Sequence, residues 1–406
     1  MTHPPLPTRY GSSFVQTAAG LCALAVVMGI GRFLYTALLP GMMATHALDE
    51  STAGIMAAWN YAGYLAGVLA MRGQGPGYRR YGFFIAFLIV SVASTVAMGL
   101  GASVFFWHGM RFVSGFASGA CFVLCSSIVL DALTAAGKPE LAGFLYSGVG
   151  TGIALGGLAA PFLEGRLGVD GAWIVAGIAC VPLAFFSIAA LSPAKTPYPV
   201  APEQSSGPQR PSGTGNRKAY RVLLTAYFLE GFGYIIGTTF LVAQVRLTTG
   251  SARLAGVSWV ITGIAAAVSA PLWRMAAKRG YLPMLITAFV LQGVGSLLPV
   301  VSQNAMAVFG GGLLLGGTFM GISVLSLQYG VQLSGRPSAY TIAIMTALYG
   351  VGQILGPFVA GMTAGEGEGF AFSFALSSAA LFAAAAILVL GARTPDGSTA
   401  TKVEQP

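Results

Sequence analysis

Three ionisable side chains stand inside apolar runs that leave little room for charge. Arg32 falls deep in the first run, in the string Gly29-Ile30-Gly31-Arg32-Phe33-Leu34-Tyr35-Thr36, and Arg111 lies in a later one. Glu230 lies about ten residues into a third, roughly 15 Å along a helix and so near the middle of a hydrocarbon core about 30 Å thick. A guanidinium at such depth is costly unless it faces water, a partner or a ligand, and its planar fork suits a carboxylate or another anion. The Glu230 carboxyl either pairs with Arg32 or Arg111 or is carried neutral, and in both cases it is a candidate proton-coupling group. Two cations against one acid favour an anionic or carboxylate-bearing small-molecule ligand.

Other polar side chains recur at helical spacing around these three. Arg32, Tyr35 and Thr36 stand at i, i+3 and i+4 and should share one face, as should Asn60 and Tyr64, with Tyr61 adjacent. Tyr227, Glu230 and Tyr234 form a third stripe beside Gly231 and Gly233, and Tyr349 and Gln353 form a fourth, with Thr346 below them. Tyr146 and Trp259 complete the candidate binding set, and Trp59, Gln328 and Tyr329 are further aromatic and amide candidates.

The elements that must position these residues are membrane helices. The 406 residues are 55% hydrophobic and only 8% charged, against roughly 25% charged residues in a soluble domain. Apolar segments long enough to cross a bilayer begin near Phe14, Ser51, Tyr81, Ser103, Leu141, Gly171, Ala219, Ala252, Leu282, Ala305, Ser338 and Gly369, about twelve in all. The first run extends to Pro40 without an Ala-x-Ala cleavage pattern, so it reads as a retained helix and not a signal peptide.

Basic residues mark the cytoplasmic side of short loops. With an inside amino terminus, nearly all the Lys and Arg outside helices gather on one face, leaving Arg166, Arg246 and Arg253 opposite. Both termini are therefore expected in the cytoplasm. The net charge of +9 is a topology signal, and no nucleic-acid partner is expected.

Six prolines, from Pro193 to Pro211, mark the middle of the chain. The reading is a cytoplasmic tail over 1–13, a six-helix bundle over 14–191, a Pro-rich cytoplasmic linker over 192–218, a second bundle over 219–391 and a tail over 392–406. The bundles look like copies at an offset of 202 residues: Gly29 and Gly31 match Gly231 and Gly233, Gly54 matches Gly256, Gly115 matches Gly317, and Gly148 and Gly150 match Gly350 and Gly352.

Against this background, Arg111-Phe112-Val113-Ser114-Gly115-Phe116-Ala117-Ser118-Gly119 resembles the Arg-x-x-x-Gly-x-x-x-Gly pattern of the fourth helix in the major facilitator superfamily. Gly148-Val149-Gly150-Thr151-Gly152 and Gly350-Val351-Gly352-Gln353-Ile354-Leu355-Gly356-Pro357 are similar to its Gly-rich fifth and eleventh helices. The Arg32 string, followed by Leu38-Leu39-Pro40, together with Asn60-Tyr61-Ala62-Gly63-Tyr64-Leu65-Ala66-Gly67, resembles the YbfB/YjiJ-type branch.

The resemblance implies an all-α membrane fold of two pseudo-symmetric bundles and a secondary transporter that alternates access around a midplane site. It also implies an Asp beside Arg72, but Met71 stands there, with Trp273 beside Arg274 in the second half. Asp131 is the expected substitute, pairing with Arg72, Arg79 or Arg80 as a cytoplasmic gate. Gly148, Gly152, Gly352, Gly356 and Pro357 are the expected gating positions in the Gly-rich helices.

The function expected is proton-coupled movement of a small anionic organic solute by a monomer in the lipid bilayer. The alternatives are proton-driven multidrug or aromatic efflux and, from another class, a non-transporting membrane sensor. No Gly-x-x-x-x-Gly-Lys-Ser/Thr loop is present, His3, His46 and His108 are scattered, and Cys22, Cys121, Cys125 and Cys180 suit helix packing. Neither an enzyme activity nor a cofactor or metal is expected.

Overall fold

The computed structural model describes residues 13–71, 77–101, 103–138, 141–192, 216–302, 304–364 and 370–393. Every regular element among them is helical. The first span is built from α1 (Ser13–Leu24), a π-helical turn (Ala25–Ile30) and α2 (Leu34–His46). It is followed by α3 (Glu50–Ala70), α4 (Gly77–Met98), α5 (Val104–Ala135) and the long α6 (Ala142–Ala190). The second bundle holds α7 (Arg217–Thr249), α8 (Ala252–Ala276), α9 (Tyr281–Val301), α10 (Ala305–Ser334), α11 (Ser338–Thr363) and α12 (Ala371–Arg393).

Ten helices among the described residues are long and apolar enough to cross a membrane. One of them, α6, has 49 residues, far more than one crossing needs. It folds back at Gly168, whose φ of 72° suits a residue without Cβ, and so supplies two crossings. With α3, which lies outside those ten, the described spans number twelve, and all twelve start within four residues of the expected positions.

The boundaries follow from capping. Asp49, Ser103, Ser251 and Asn304 each accept a backbone N–H three residues on, at the starts of α3, α5, α8 and α10. Asp49 lies outside the spans, and its hydrogen bonds from Thr52 hold its carboxyl below the usual range. Arg217 and Lys218, expected in the linker, form the first turn of α7. Residues 193–215, both tails and Arg72 lie outside the described residues, and so do the linker and gate expectations that fall on them.

One continuous core runs from the first bundle through Tyr234, Phe240 and Phe319 of the second, which holds a further core of its own, and the two bundles meet where α2 packs on α7, α3 on α11 and α6 on α8. Thr36 Oγ1 donates to the Thr238 carbonyl at 3.3 Å, across 202 residues, so the two copies of one position touch at the seam. The offset is not constant. Asp49 and Ser251 are 202 apart, but Ser103 and Asn304 are 201 apart.

The consequence appears in packing. Gly115 lies against the Asn60 carbonyl and Gly316, not Gly317, lies against the Thr262 carbonyl, while Gly317 faces open space. One residue turns a helix by about 100°, so the expected Gly115–Gly317 match is corrected to Gly316. Likewise, Gly148 and Gly152 pack on the first span and Gly352 and Gly356 on α7, whereas Gly350 meets Leu65 of the other bundle.

Candidate functional site

The first span is not a regular helix where Arg32 sits. Gly31 N–H reaches back five residues to Val26 O, and Phe33 N–H to Met28 O, before α2 restarts at Leu34. Thr36 N–H then donates to Phe33 O at 3.2 Å, which leaves the Arg32 carbonyl without its helical donor. In a bilayer such a group must be satisfied by protein, and α5 does it: Arg111 Nη2 donates to Arg32 O at 3.2 Å and Ser114 Oγ to Gly31 O at 2.8 Å.

This break overturns the expected common face of Arg32, Tyr35 and Thr36. The Tyr35 hydroxyl donates to Ala53 O at 2.8 Å, and its ring lies under the Arg111 guanidinium at 4.5 Å. Thr36 seals the seam at Thr238, and Tyr61 does the same with the Thr239 hydroxyl at 2.9 Å. Asn60 is fully buried and donates to Arg111 O at 2.8 Å. Arg111 and Asn60 thus support the backbone that presents Arg32.

Arg32 itself faces a central cavity of about 160 Å³. Its guanidinium lies over Tyr64 at 4.0 Å and Tyr61 at 4.7 Å, and its Nη2 donates to Gln353 Oε1 at 3.2 Å. Gln353 Nε2 donates to the Tyr234 hydroxyl at 3.0 Å. Tyr234 stacks between Phe319 at 5.3 Å and Tyr349 at 5.9 Å, and Tyr349 stacks on Tyr227 at 4.7 Å. No acid lines the described wall, so Arg32 is its one charge.

From Arg32 and Gln353 the wall descends past Phe122 and Leu327, toward the end of the bundles where the first and last described residues lie. Above Arg32, toward the opposite end, the seam is closed. Glycines let backbones meet there: a Cβ on Gly54 would strike Pro357 O and Gly361 of α11. Arg246 Nη1 pairs with Glu164 Oε1 at 2.7 Å across the same seam.

Of the sequence-predicted binding residues, the cavity wall gathers Arg32, Tyr64, Tyr234, Tyr349 and Gln353. Trp259 stands one layer back, edge-on to Phe33, and Tyr146 stands behind Phe122. Trp59 is 45% exposed on the outer face of α3, and Gln328 and Tyr329 pack with Tyr281 between α9 and α10. Sequence reasoning missed Phe33, Phe122, Phe319 and Met320; the available signal for Phe319 was its stripe with Ser323 and Leu327 along α10, and Phe33 and Phe122 carried none.

Glu230 is fully buried on α7 beside the cavity, not in its wall, and forms no ion pair with Arg32 or Arg111. Its polar neighbours are Gln292 of α9 and Tyr349 of α11, and neither carboxyl oxygen makes a well-formed hydrogen bond among the described residues. Of the two alternatives read from the sequence, pairing of Glu230 with an arginine is not formed, since Arg32 is turned to Gln353 and Arg111 to Arg32 O. At the far end of α5, Asp131 Oδ2 takes Arg80 Nη1 at 2.9 Å, while Arg79 is exposed. Met71 is buried in the core, and Trp273 Nε1 donates to Gly317 O at 2.7 Å, so both substitutes for the implied Asp serve packing.

Two helical bundles meeting around a central, partly polar cavity define a multi-pass membrane transporter of the major facilitator type. The chain belongs to the family described as uncharacterised MFS-type transporter YbfB, whose model matches residues 24–389. No curated protein sequence matches the chain. Among solved structures it is similar to a mutant of the nucleoside transporter NupG, with a TM-score of 0.71 at 13% identity over 93% of this chain and 99% of that one. It is also similar to a bacterial homologue of the human lysosomal transporter Spinster in an inward-facing, unoccupied conformation, with a TM-score of 0.65 at 16% identity over 96% of both chains.

Proposed function

We propose that this transporter carries a small organic anion, with an aromatic or apolar body, by alternating access driven by a proton gradient. The observation that carries the reading is Arg32. It is a buried guanidinium at the blind end of a cavity whose described wall is aromatic and holds no acid. A carboxylate seated there gains charge-assisted hydrogen bonds, while Tyr64, Tyr234 and Phe319 offer their faces to the rest of the solute.

The same wall has two sides: Arg32 and Tyr64 come from the first bundle, Tyr234, Phe319 and Gln353 from the second. A solute held by both would draw the bundles together, which is the physical requirement for alternation around a fixed site. With both termini in the cytoplasm of a bacterial inner membrane, the cavity faces inward. Glu230 is the coupling group in this reading, separated from the cavity by Tyr349, and its protonation would change as Tyr349 moves. The stacked rings also favour a second reading, efflux of aromatic compounds with Arg32 as scaffold.

Proteoliposomes under an imposed pH gradient separate the two. A panel of labelled aromatic carboxylates and cationic dyes is expected to show carboxylate flux that is lost in Arg32→Ala. Movement of dyes alone, unchanged by Arg32→Ala, overturns the anion reading. Flux indifferent to the gradient in both wild type and Glu230→Gln overturns the proton reading.

A further inference from the structure

The guanidinium offered to the solute is already held by an amide. Arg32 Nη2 donates to Gln353 Oε1 at 3.2 Å, and Gln353 Nε2 donates to the Tyr234 hydroxyl at 3.0 Å. Arg32 and Gln353 are 3% and 2% exposed, so water does little to loosen the bond. Arg32 belongs to the first bundle and Gln353 to α11, so this side-chain chain ties the two bundles at the blind end of the cavity.

The chemistry of the acceptor matters. A primary amide carbonyl satisfies one guanidinium N–H without cancelling the charge, whereas a carboxylate brings the opposite charge and two oxygens that can take the fork bidentately. Arg32 Nε has no hydrogen-bond partner among the described residues, so the amide leaves the donor capacity of the guanidinium unfilled. We propose that Gln353 is a built-in stand-in for the anionic group of the solute. It holds Arg32 and links the bundles until an arriving anion displaces it.

The displacement has a second effect. Once Gln353 leaves Arg32, the solute itself spans Arg32 on one bundle and the Tyr234 hydroxyl on the other, so the link between bundles passes through the cargo. Gln353 is then a specificity-determining residue, because only a group that outcompetes an amide for Arg32 can complete the exchange. This rests on the reading of Arg32 as the anion site.

The test reads Arg32 directly and needs no identified solute. Purified wild type, Gln353→Leu, Gln353→Asn and Gln353→Glu, each checked as monodisperse, are labelled with phenylglyoxal, and modification at Arg32 is followed by peptide mass mapping. With the stand-in removed or shortened, Arg32 is expected to label several-fold faster than in wild type in Leu and Asn variants. With a carboxylate in its place, labelling is expected to fall by about tenfold. Equal rates in all four proteins overturn the proposal, and the Asn variant decides it if the Leu variant does not fold.

Benzoate, added as a competitor, is expected to protect Arg32 at several-fold lower concentration in Gln353→Leu than in wild type. Equal protection in the two overturns displacement. If benzoate and other carboxylates fail to protect Arg32 in any variant while the labelling order holds, the anion reading itself falls and the Arg32–Gln353 link stands.

Discussion

The two bundles carry the same scaffold and different ionisable residues. In the first, Arg32 and Arg111 are buried without an acid, and their guanidinium groups rest on tyrosine rings and on one freed carbonyl. In the second, the residue 202 positions after Arg32 is Tyr234, also at the cavity, and the buried ionisable group is Glu230, set behind Tyr349. Packing positions tolerate little change, because a Cβ at Gly115 or Gly316 would strike backbone, so duplication survives there. Cavity positions have no such constraint, and there the copies have diverged into a cation half and an acid half.

Breaking that asymmetry should cost most at Arg32. Arg32→Ala removes charge-assisted hydrogen bonds worth about 1.5–3 kcal/mol, so solute affinity is expected to fall by roughly tenfold to a hundredfold in binding titrations. The same truncation at Arg111 should act on the protein first. Arg111→Leu leaves Arg32 O unsatisfied, at about 1–3 kcal/mol, and is expected to lower the melting temperature in detergent more than Arg32→Ala does. A larger loss of stability at Arg32 would reverse the roles assigned to the two.

On the acid side the prediction is a split of readouts. Glu230→Gln keeps the size of the side chain, so solute counterflow is expected to stay within about twofold of wild type, while accumulation driven by a pH gradient falls by about tenfold. Loss of counterflow as well would make Glu230 part of the solute site or of the core.

Smaller effects should come from the pairs at the two ends. Glu164→Gln breaks the cross-bundle pair with Arg246, which is partly exposed, so a shift of about 0.2–1 kcal/mol toward the outward-open form is expected from spin-label distances across that seam. Asp131→Asn breaks a pair inside one bundle. It should change transport by at most a few-fold, unless the Arg80 pair biases the cycle as a gate does.

Much of the architecture was legible because a bilayer imposes it. Helix starts at Ser51, Ala252 and Ala305 were readable from apolar length and the polar residue before it, and Ser338 from the proline before it, and all lie within one residue of the observed starts. The Arg-x-x-x-Gly-x-x-x-Gly string showed where α5 would pack closely, and the structure lays Gly115 and Gly119 on the α3 backbone. The asymmetry of ionisable residues was also plain, since a single Arg or Glu in an apolar run needs no geometry to be noticed.

What failed was the extrapolation from spacing to face. The stripe of Arg32, Tyr35 and Thr36 assumed 3.6 residues per turn, and the π-helical turn at Ala25–Ile30 with the break at Gly31–Phe33 swings Arg32 to the cavity and the other two elsewhere. A single residue of drift between Ser103 and Asn304 did the same to the Gly115 match.

Apolar length, the scarcity of charge and the placement of three ionisable residues in twelve runs are properties of the chain read in order, and they determined an all-helical membrane bundle with ionisable side chains inside its spans. Which of those residues share a space was decided by the tertiary structure alone. Gln353 meets Arg32 and Glu230 meets Gln292 across helices far apart in sequence, and local turns of the backbone, which no regular period encodes, set which way each side chain points.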